Sequence, residues 1–147
     1  MYNALVVIHL LAATVWTGGH VILSLTILPK ALKQRDCTFL AEFESVYEKI
    51  GIPALLLQVI TGLWLVATYL PNVGAWFDLQ SSISRVVTIK LILLVITIAL
   101  ALHTRLKLVP NLSEQTLNRV AIHIVLVTTV AVAFAVVGVG FRLGFFD

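Results

Sequence analysis

Four long apolar stretches alternate with shorter polar connectors along the 147-residue chain. The stretches cover about residues 3–29, 51–70, 86–107 and 119–141, and a helix needs roughly 20 apolar residues to cross a bilayer. Because short connectors join consecutive spans, the pattern predicts an all-α integral membrane protein with an up-down-up-down four-helix bundle. We expect residues 1–147 to form a single transmembrane domain.

The connector between the first two spans has a pattern of its own. In "TFLAEFESVYEKI", residues 38–50, apolar side chains recur at helical spacing with charged residues between them. This pattern predicts either an interfacial helix or an extension of the second span. The chain begins with "MYNALVV", which lacks the basic residues that open a signal peptide, so we expect the first stretch to be a mature transmembrane helix.

Composition agrees with a membrane protein. Hydrophobic residues make up 60% of the chain and charged residues 12%, whereas soluble domains carry about 25% charged residues. The formal net charge is +3, and in a soluble protein such a charge raises the question of nucleic-acid binding. Here the basic residues flank the spans, so membrane topology explains them, and we expect the lipid bilayer as a partner and no nucleic acid.

The distribution of lysine and arginine predicts the orientation. The connectors after spans one and three share one side of the membrane, which carries Lys30, Lys33, Arg35, Lys49, Arg105, Lys107 and Arg119. The opposite side carries Arg85, Arg142 and, if its side chain extends outward, Lys90. The richer side is expected in the cytoplasm, which puts both termini outside, in the periplasm of a Gram-negative cell.

Two histidines interrupt the first span, "VIHLLAATVWTGGHVILSLTILP". His9 and His20 are eleven residues apart, which is three helical turns plus roughly 20°, so both rings face one way at a separation of about 16 Å. Trp16 lies between them, and Gly18 and Gly19 directly precede His20. Ionisable groups are costly inside a bilayer and mark a functional site by default.

The other histidines lie on the third and fourth spans. His103 and His123 are both near the predicted cytoplasmic boundary, with His20 somewhat deeper, while Lys90 is at the outer depth of His9. We therefore expect three imidazoles in the cytoplasmic half. The alternatives are that His103 and His123 meet water at the boundary and that Lys90 is a snorkelling anchor.

Two metal chemistries fit these residues. Neutral imidazole is an axial ligand of b-type haem, Gly18 and Gly19 leave flat space for a porphyrin, and His20 could pair with His103 or His123 across the bundle. Imidazole also binds copper, although the only sulfur side chains, Met1 and Cys37, lie outside the spans. Side-chain chemistry favours haem, and spacing does not decide between the two. A third reading is a cofactor-free subunit or assembly factor whose histidines join helices.

Three segments of the chain resemble the copper resistance protein D family of bacterial inner-membrane proteins. The marks are His9, Trp16, Gly18 and Gly19 in span one, Thr61, Gly62 and Leu63 in span two, and Lys90 and Leu91 in span three. The resemblance implies a copper-related role centred on His9, with His20 as a second candidate. A periplasmic copper protein is the partner that such a role implies.

A second resemblance is to the four-helix membrane protoporphyrinogen oxidases, carried by His9, Trp16 and the sequence Ile89-Lys90-Leu91. It implies a b-type haem with His9 and Lys90 as functional residues. In an electron-transfer role the partner would be a quinol or another redox protein, and several copies of the chain could assemble. The candidate metal ligands are therefore His9, His20, His103 and His123, for copper or haem b, and the candidate cofactor-binding residues add Trp16, Gly18, Gly19 and Lys90.

Overall fold

A computed structural model describes residues 2–146 of the chain. Met1, one of the two sulfur-containing residues of the chain, and Asp147 lie outside the described residues.

Four helices make up most of the described chain. They are α1 (Tyr2–Gln34), α2 (Thr38–Tyr69), α3 (Ser82–Asn111) and α4 (Leu117–Arg142), and each is long and apolar enough to cross a membrane. The predicted all-α four-helix bundle is confirmed, and residues 2–146 contain no strand. The predicted spans fall one on each helix.

The connector at residues 38–50 is the first part of α2, continuous with the span that follows. Asp36 precedes the helix and its Oδ1 accepts a hydrogen bond from the backbone N–H of Thr38 at 2.8 Å. Hydrogen bonds from the side chain and backbone of Thr38 hold the pKa of Asp36 below its usual value. Pro53 lies inside α2, where the amphipathic extension gives way to the apolar span.

α1 and α3 each contain one π-helical turn, and each turn precedes a proline. The turns are Leu23–Ile27, before Pro29, and Thr104–Leu108, before Pro110. A proline ring has no N–H to donate and crowds the carbonyl four residues earlier in an α-helix. Widening the preceding turn relieves that crowding without ending the helix, which explains how both helices continue past the point where the sequence predicted a stop.

Two ends of the bundle can be distinguished. The α1–α2 and α3–α4 connections lie at one end, here called the basic end because the seven basic residues predicted as cytoplasmic belong to it. The start of α1, the end of α4 and the α2–α3 loop lie at the other, here called the terminal end. Within the loop, Trp76 Nε1 donates to the Leu70 carbonyl at 2.8 Å and the Ser84 hydroxyl donates to the Ala75 carbonyl at 2.7 Å, which ties the loop to the start of α3.

The helices pack in the order α2, α1, α4, α3. α1 lies against both α2 and α4, and α3 packs on α4, whereas the consecutive helices α2 and α3 make little direct contact. The main apolar core fills the basic end, where α1 and α4 meet the start of α2; it consists of Leu23, Leu28, Ala31, Leu40, Leu117, Val120, Ala121 and Ile124. Because α2 and α3 make little contact, a space remains beside this core, and the candidate functional site lies next to that space.

Candidate functional site

The structure distributes the four histidines over three places. His9 lies in the terminal half, His20 lies near the middle of the bundle, and His103 contacts His123 towards the basic end. Among residues 2–146, no three histidine, cysteine, aspartate or glutamate side chains come close enough to hold one metal ion. His9 and His20 cannot meet because one continuous helix holds them about 16 Å apart.

His20 is buried and its imidazole is held in one orientation. Only 8% of the residue is exposed. Its Nδ1 lies 2.9 Å from the Trp16 carbonyl, one turn earlier in α1, and its ring is 4.3 Å from the Trp16 ring between centroids. Because a carbonyl can only accept, Nδ1 carries the proton, which leaves the lone pair on Nε2.

Tyr47 completes the surroundings of His20. Its hydroxyl donates to the Trp16 carbonyl at 2.7 Å and lies 3.2 Å from His20 Nδ1. His20 Nε2 has no hydrogen-bond partner within residues 2–146. An imidazole whose Nδ1–H is fixed by a carbonyl and whose Nε2 is open has the arrangement that metal-binding histidines commonly adopt.

Glycines make room for the ring of Tyr47, and this packing differs from the prediction of a porphyrin beside Gly19. A Cβ on Gly19 would overlap the phenol ring, and a Cβ on Gly51 would lie 2.9 Å from Tyr47 Cζ. The flat space predicted for a porphyrin beside Gly19 is therefore filled by the phenol ring of Tyr47. Gly18 differs from Gly19, because an added Cβ there meets no atom within 4 Å.

Tyr47 is the site residue that sequence reasoning missed. Its position among the apolar residues of the connector suggested only a helix face, and its contacts with Trp16 and His20 span 31 and 27 residues of sequence. The available signal was a tyrosine in a helical extension, opposite a Gly-Gly pair on the neighbouring helix. That signal identifies an aromatic contact only once the register of α1 against α2 is known.

A cavity of about 800 Å³ lies beside His20 in the half of the bundle nearer the basic end. All four helices contribute to its walls, and its polar lining includes His20, Glu44, Tyr47, Glu48, Arg105 and His123. Small-molecule sites in proteins occupy about 300–1,000 Å³. An ion pair between Glu48 of α2 and Arg105 of α3 bridges the two helices that otherwise hardly touch.

Cys37 also lines this cavity, in the connection between α1 and α2. Burial raises the pKa of the Cys37 thiol, and the nearby carboxylates of Glu114 and Asp36 raise it further. The thiolate is the form that binds metals. The surroundings of Cys37 therefore disfavour the one sulfur donor among the described residues.

His103 and His123 form a contact between α3 and α4. Nδ1 of His103 lies 3.1 Å from Nε2 of His123, and the ring centroids are 4.7 Å apart. His123 lines the cavity, and the residue after His103 begins the π-helical turn of α3. Of the three histidines expected to gather towards the basic end, His103 and His123 are in contact, and His20 lies at a separate position.

His9 lies in a different setting. Its Nδ1 is 3.0 Å from the hydroxyl of Thr61, which itself donates to the Leu57 carbonyl at 2.7 Å, so Nδ1–H of His9 is the donor. The ring rests against Gly62, where an added Cβ would lie 3.1 Å from Cε1. Lys90 of α3 is close enough for its charge to act on His9.

Lys90 and Gln58 complete the set of polar groups around His9 and Thr61 in the terminal half. Nζ of Lys90 lies beside Gly138 of α4, 3.5 Å from where a Cβ would stand. Oε1 of Gln58 is buried and has no hydrogen-bond partner among the described residues. These polar groups of the terminal half thus involve all four helices, and the basic side chain among them, Lys90, repels a metal cation when it is protonated.

The sequence profile of the family described as Copper resistance protein D matches residues 41–143, and the chain belongs to that family. The protein is accordingly a multi-pass membrane protein with a role in copper resistance and homeostasis. The matched residues include Tyr47, His103 and His123, whereas His9 and His20 precede them. Comparisons with curated proteins and with solved structures gave no significant match. The resemblance to protoporphyrinogen oxidases stays a prediction.

Proposed function

We propose that this protein binds copper ions inside the membrane as part of copper homeostasis, with His20 as the ligand that receives the ion. The ion would occupy the cavity beside His20 as cargo. This role assigns the metal chemistry of the family to one side chain of this chain, in one transmembrane domain.

The observation that carries the proposal is the open Nε2 of His20. The Trp16 carbonyl and the Tyr47 hydroxyl hold the ring through Nδ1, so rotation of the ring is restricted before any metal binds. A ligand held in its bound orientation loses less conformational entropy on binding. The neighbouring cavity gives an ion and its remaining water or exchangeable ligands space beside Nε2.

The polarity of the cavity supports a cation as the occupant. Glu44 and Glu48 lie on the α2 wall, one helical turn apart, and Arg105 is paired with Glu48. Apart from the Cys37 thiol, whose thiolate form is disfavoured, the donors that line the cavity are nitrogen and oxygen atoms. Such a set binds copper without the strong retention of a thiolate cage. Moderate retention suits a protein that passes an ion on.

Orientation belongs to the same proposal. The seven lysine and arginine residues of the basic end support its location in the cytoplasm of a bacterial cell, with both termini in the periplasm of the inner membrane. A periplasmic copper protein would then be the partner at the terminal end. Alkaline phosphatase fused after residue 146 should be active, and an inactive fusion with an active cytoplasmic reporter would reverse this orientation.

Copper titration of the purified full chain tests the proposal. Wild-type protein should bind Cu(I) in competition with a colorimetric chelator, and His20→Ala should lose the ion held at His20. His9→Ala is the matched control, because it removes an imidazole from the same face of α1 but away from the cavity. Equal copper binding by wild-type and His20→Ala would refute the ligand assignment.

An absorption spectrum separates copper from the haem alternative. Colourless protein that takes up copper supports the proposal. A Soret band that shifts on reduction with dithionite would establish haem b instead and would require the Tyr47 ring to move from Gly19. Protein that holds neither group would leave the cofactor-free role.

A further inference from the structure

We propose that His103 and His123 form a second metal site, which takes a soft monovalent cation, Cu(I), at the α3–α4 side of the cavity. The identity of the metal rests on the proposed function. The site itself is a separate pair of side chains on α3 and α4, and it does not require His20 as a ligand.

The distance between the two nitrogens fits a shared metal ion. Nδ1 of His103 and Nε2 of His123 face each other at 3.1 Å. Two nitrogens bonded to one metal ion at about 2.0 Å lie about 3.3 Å apart at a tetrahedral angle and about 4.0 Å apart in the linear arrangement that two ligands alone adopt, so the pair needs to open by about 0.2 to 0.9 Å. The ring planes are inclined at 49°, so the imidazoles meet through nitrogen atoms and do not stack.

Proton balance is satisfied without an acceptor outside the pair. In the metal-free contact one nitrogen donates its N–H to the lone pair of the other. When the ion binds, the donor ring moves its proton to its other nitrogen and presents a second lone pair. Both imidazoles stay neutral, two metal–nitrogen bonds form, and the ion keeps its oxidation state.

The donor set selects the class of ion. No third histidine, cysteine, aspartate or glutamate within residues 2–146 joins the pair in a metal-binding group. Two neutral imidazoles supply no negative charge, so a monovalent ion leaves less uncompensated charge at the pair than a divalent ion does. Imidazole is an established ligand type for copper. The geometry therefore favours Cu(I), with Ag(I) as a redox-stable probe of the same charge.

The pair lies between the cavity and the outside of the bundle. His123 lines the cavity, whereas His103 is exposed on α3 immediately before a π-helical turn. The Thr128 hydroxyl donates to the His20 carbonyl at 3.1 Å, which aligns α4 with α1. His123 is five residues earlier in α4 and so about 7.5 Å nearer the basic end than that contact. An ion that moves from His20 towards the basic end would pass the level of this pair.

The experiment is a titration of the full chain in lipid nanodiscs with Ag(I), repeated with Cu(I) against a colorimetric chelator. Wild-type protein should bind two equivalents. His103→Ala and His123→Ala should each keep one equivalent of unchanged affinity. The affinity for the second equivalent should fall at least about tenfold, because one of its two ligands is removed. His9→Ala is the control and should retain both equivalents.

Glutamine variants test the same site if the alanine variants fail to fold. His103→Gln and His123→Gln keep a polar side chain of similar reach but no imidazole, and each should lose the same equivalent. Retention of two equivalents by either folded variant would overturn the second site.

The two proposals fail in different ways. A single equivalent that disappears in His20→Ala but persists in His103→Ala would overturn the paired site and leave the proposed function standing. A single equivalent that persists in His20→Ala but disappears in both His103→Ala and His123→Ala would support the paired site and overturn the role given to His20. Absence of binding to wild-type protein would overturn both.

Discussion

His9 and His20 lie on the same face of one helix, yet the two halves of the bundle surround them differently. In the terminal half, His9 donates to Thr61, rests on Gly62 and lies within the electrostatic influence of Lys90. Towards the basic end, His20 is fixed through Nδ1 and its Nε2 lies beside a cavity of about 800 Å³.

The difference separates two uses of an imidazole in a membrane. A histidine beside an ammonium and a hydroxyl can join helices and stabilise their packing. A histidine with an open nitrogen, a fixed ring and adjacent space can receive a ligand. Counting histidines in a span does not distinguish these uses, because the distinction depends on neighbours from other helices.

Of the substitutions that distinguish the two halves, Gly19→Ala should have the largest effect. Gly19→Ala should displace the Tyr47 ring and destabilise the protein by about 1–3 kcal/mol, the usual cost of overpacking a well-packed interior. Copper bound at His20 should be lost as the ring loses its support. Gly18→Ala is the matched control, since its Cβ meets open space. Thermal unfolding in detergent measures both, and equal stability of the two variants would contradict the close packing of Tyr47 on Gly19.

Tyr47→Phe should have a smaller effect confined to the same half. The ring stays between Gly19 and Gly51, but the hydroxyl that supports His20 is removed. Loss of a supporting partner of a metal ligand lowers metal affinity about tenfold or more. Copper competition titration gives the affinity, and ¹⁵N chemical shifts of His20 report which ring nitrogen carries the proton.

Tyr69→Phe is the matched control for that change, because Tyr69 belongs to the same helix but its hydroxyl contacts Tyr2 at the terminal end. It should leave both the copper affinity and the His20 shifts unchanged. If Tyr47→Phe also left them unchanged, the phenol would serve packing alone.

The smallest expected effect lies in the terminal half. Thr61→Val removes the acceptor for His9 and should cost about 0.5–1.5 kcal/mol of stability, as for a single hydrogen bond, while copper stoichiometry stays at the wild-type value. Thr68→Val is the control, because within residues 2–146 the Thr68 hydroxyl donates to the Trp64 carbonyl of its own helix and bonds no other helix. Loss of copper in Thr61→Val would mean that His9 takes part in metal binding and that the two halves are not independent.

The local pattern of apolar and polar residues was sufficient to predict the four helices. Hydropathy and length identify α1 to α4, because each apolar segment must satisfy its backbone hydrogen bonds within itself in lipid. The same pattern could not separate an interfacial helix from an extension at residues 38–50. It also set the end of the first span at Pro29, because it contains no information on the π-helical turn that lets α1 continue to Gln34.

The site was predictable in part. Helical periodicity puts His9 and His20 on one face of α1, and depth puts His103 and His123 near the same boundary, where the structure has them in contact. Periodicity could not reveal that Tyr47 fills the space beside Gly19, because that contact depends on how far α1 and α2 are shifted along each other. Nor could it reveal the cavity, which follows from the order of helix packing and the small contact between α2 and α3.

The phenol seated between Gly19 and Gly51 also limits how the protein can change shape. A longitudinal shift of α1 past α2 would drive the Tyr47 ring into side chains larger than glycine, so this contact opposes sliding of the two helices. The freedom to widen or narrow the cavity then resides across the α2–α3 gap, where the Glu48–Arg105 pair is the crossing link. Any cycle that loads and unloads an ion would hinge there.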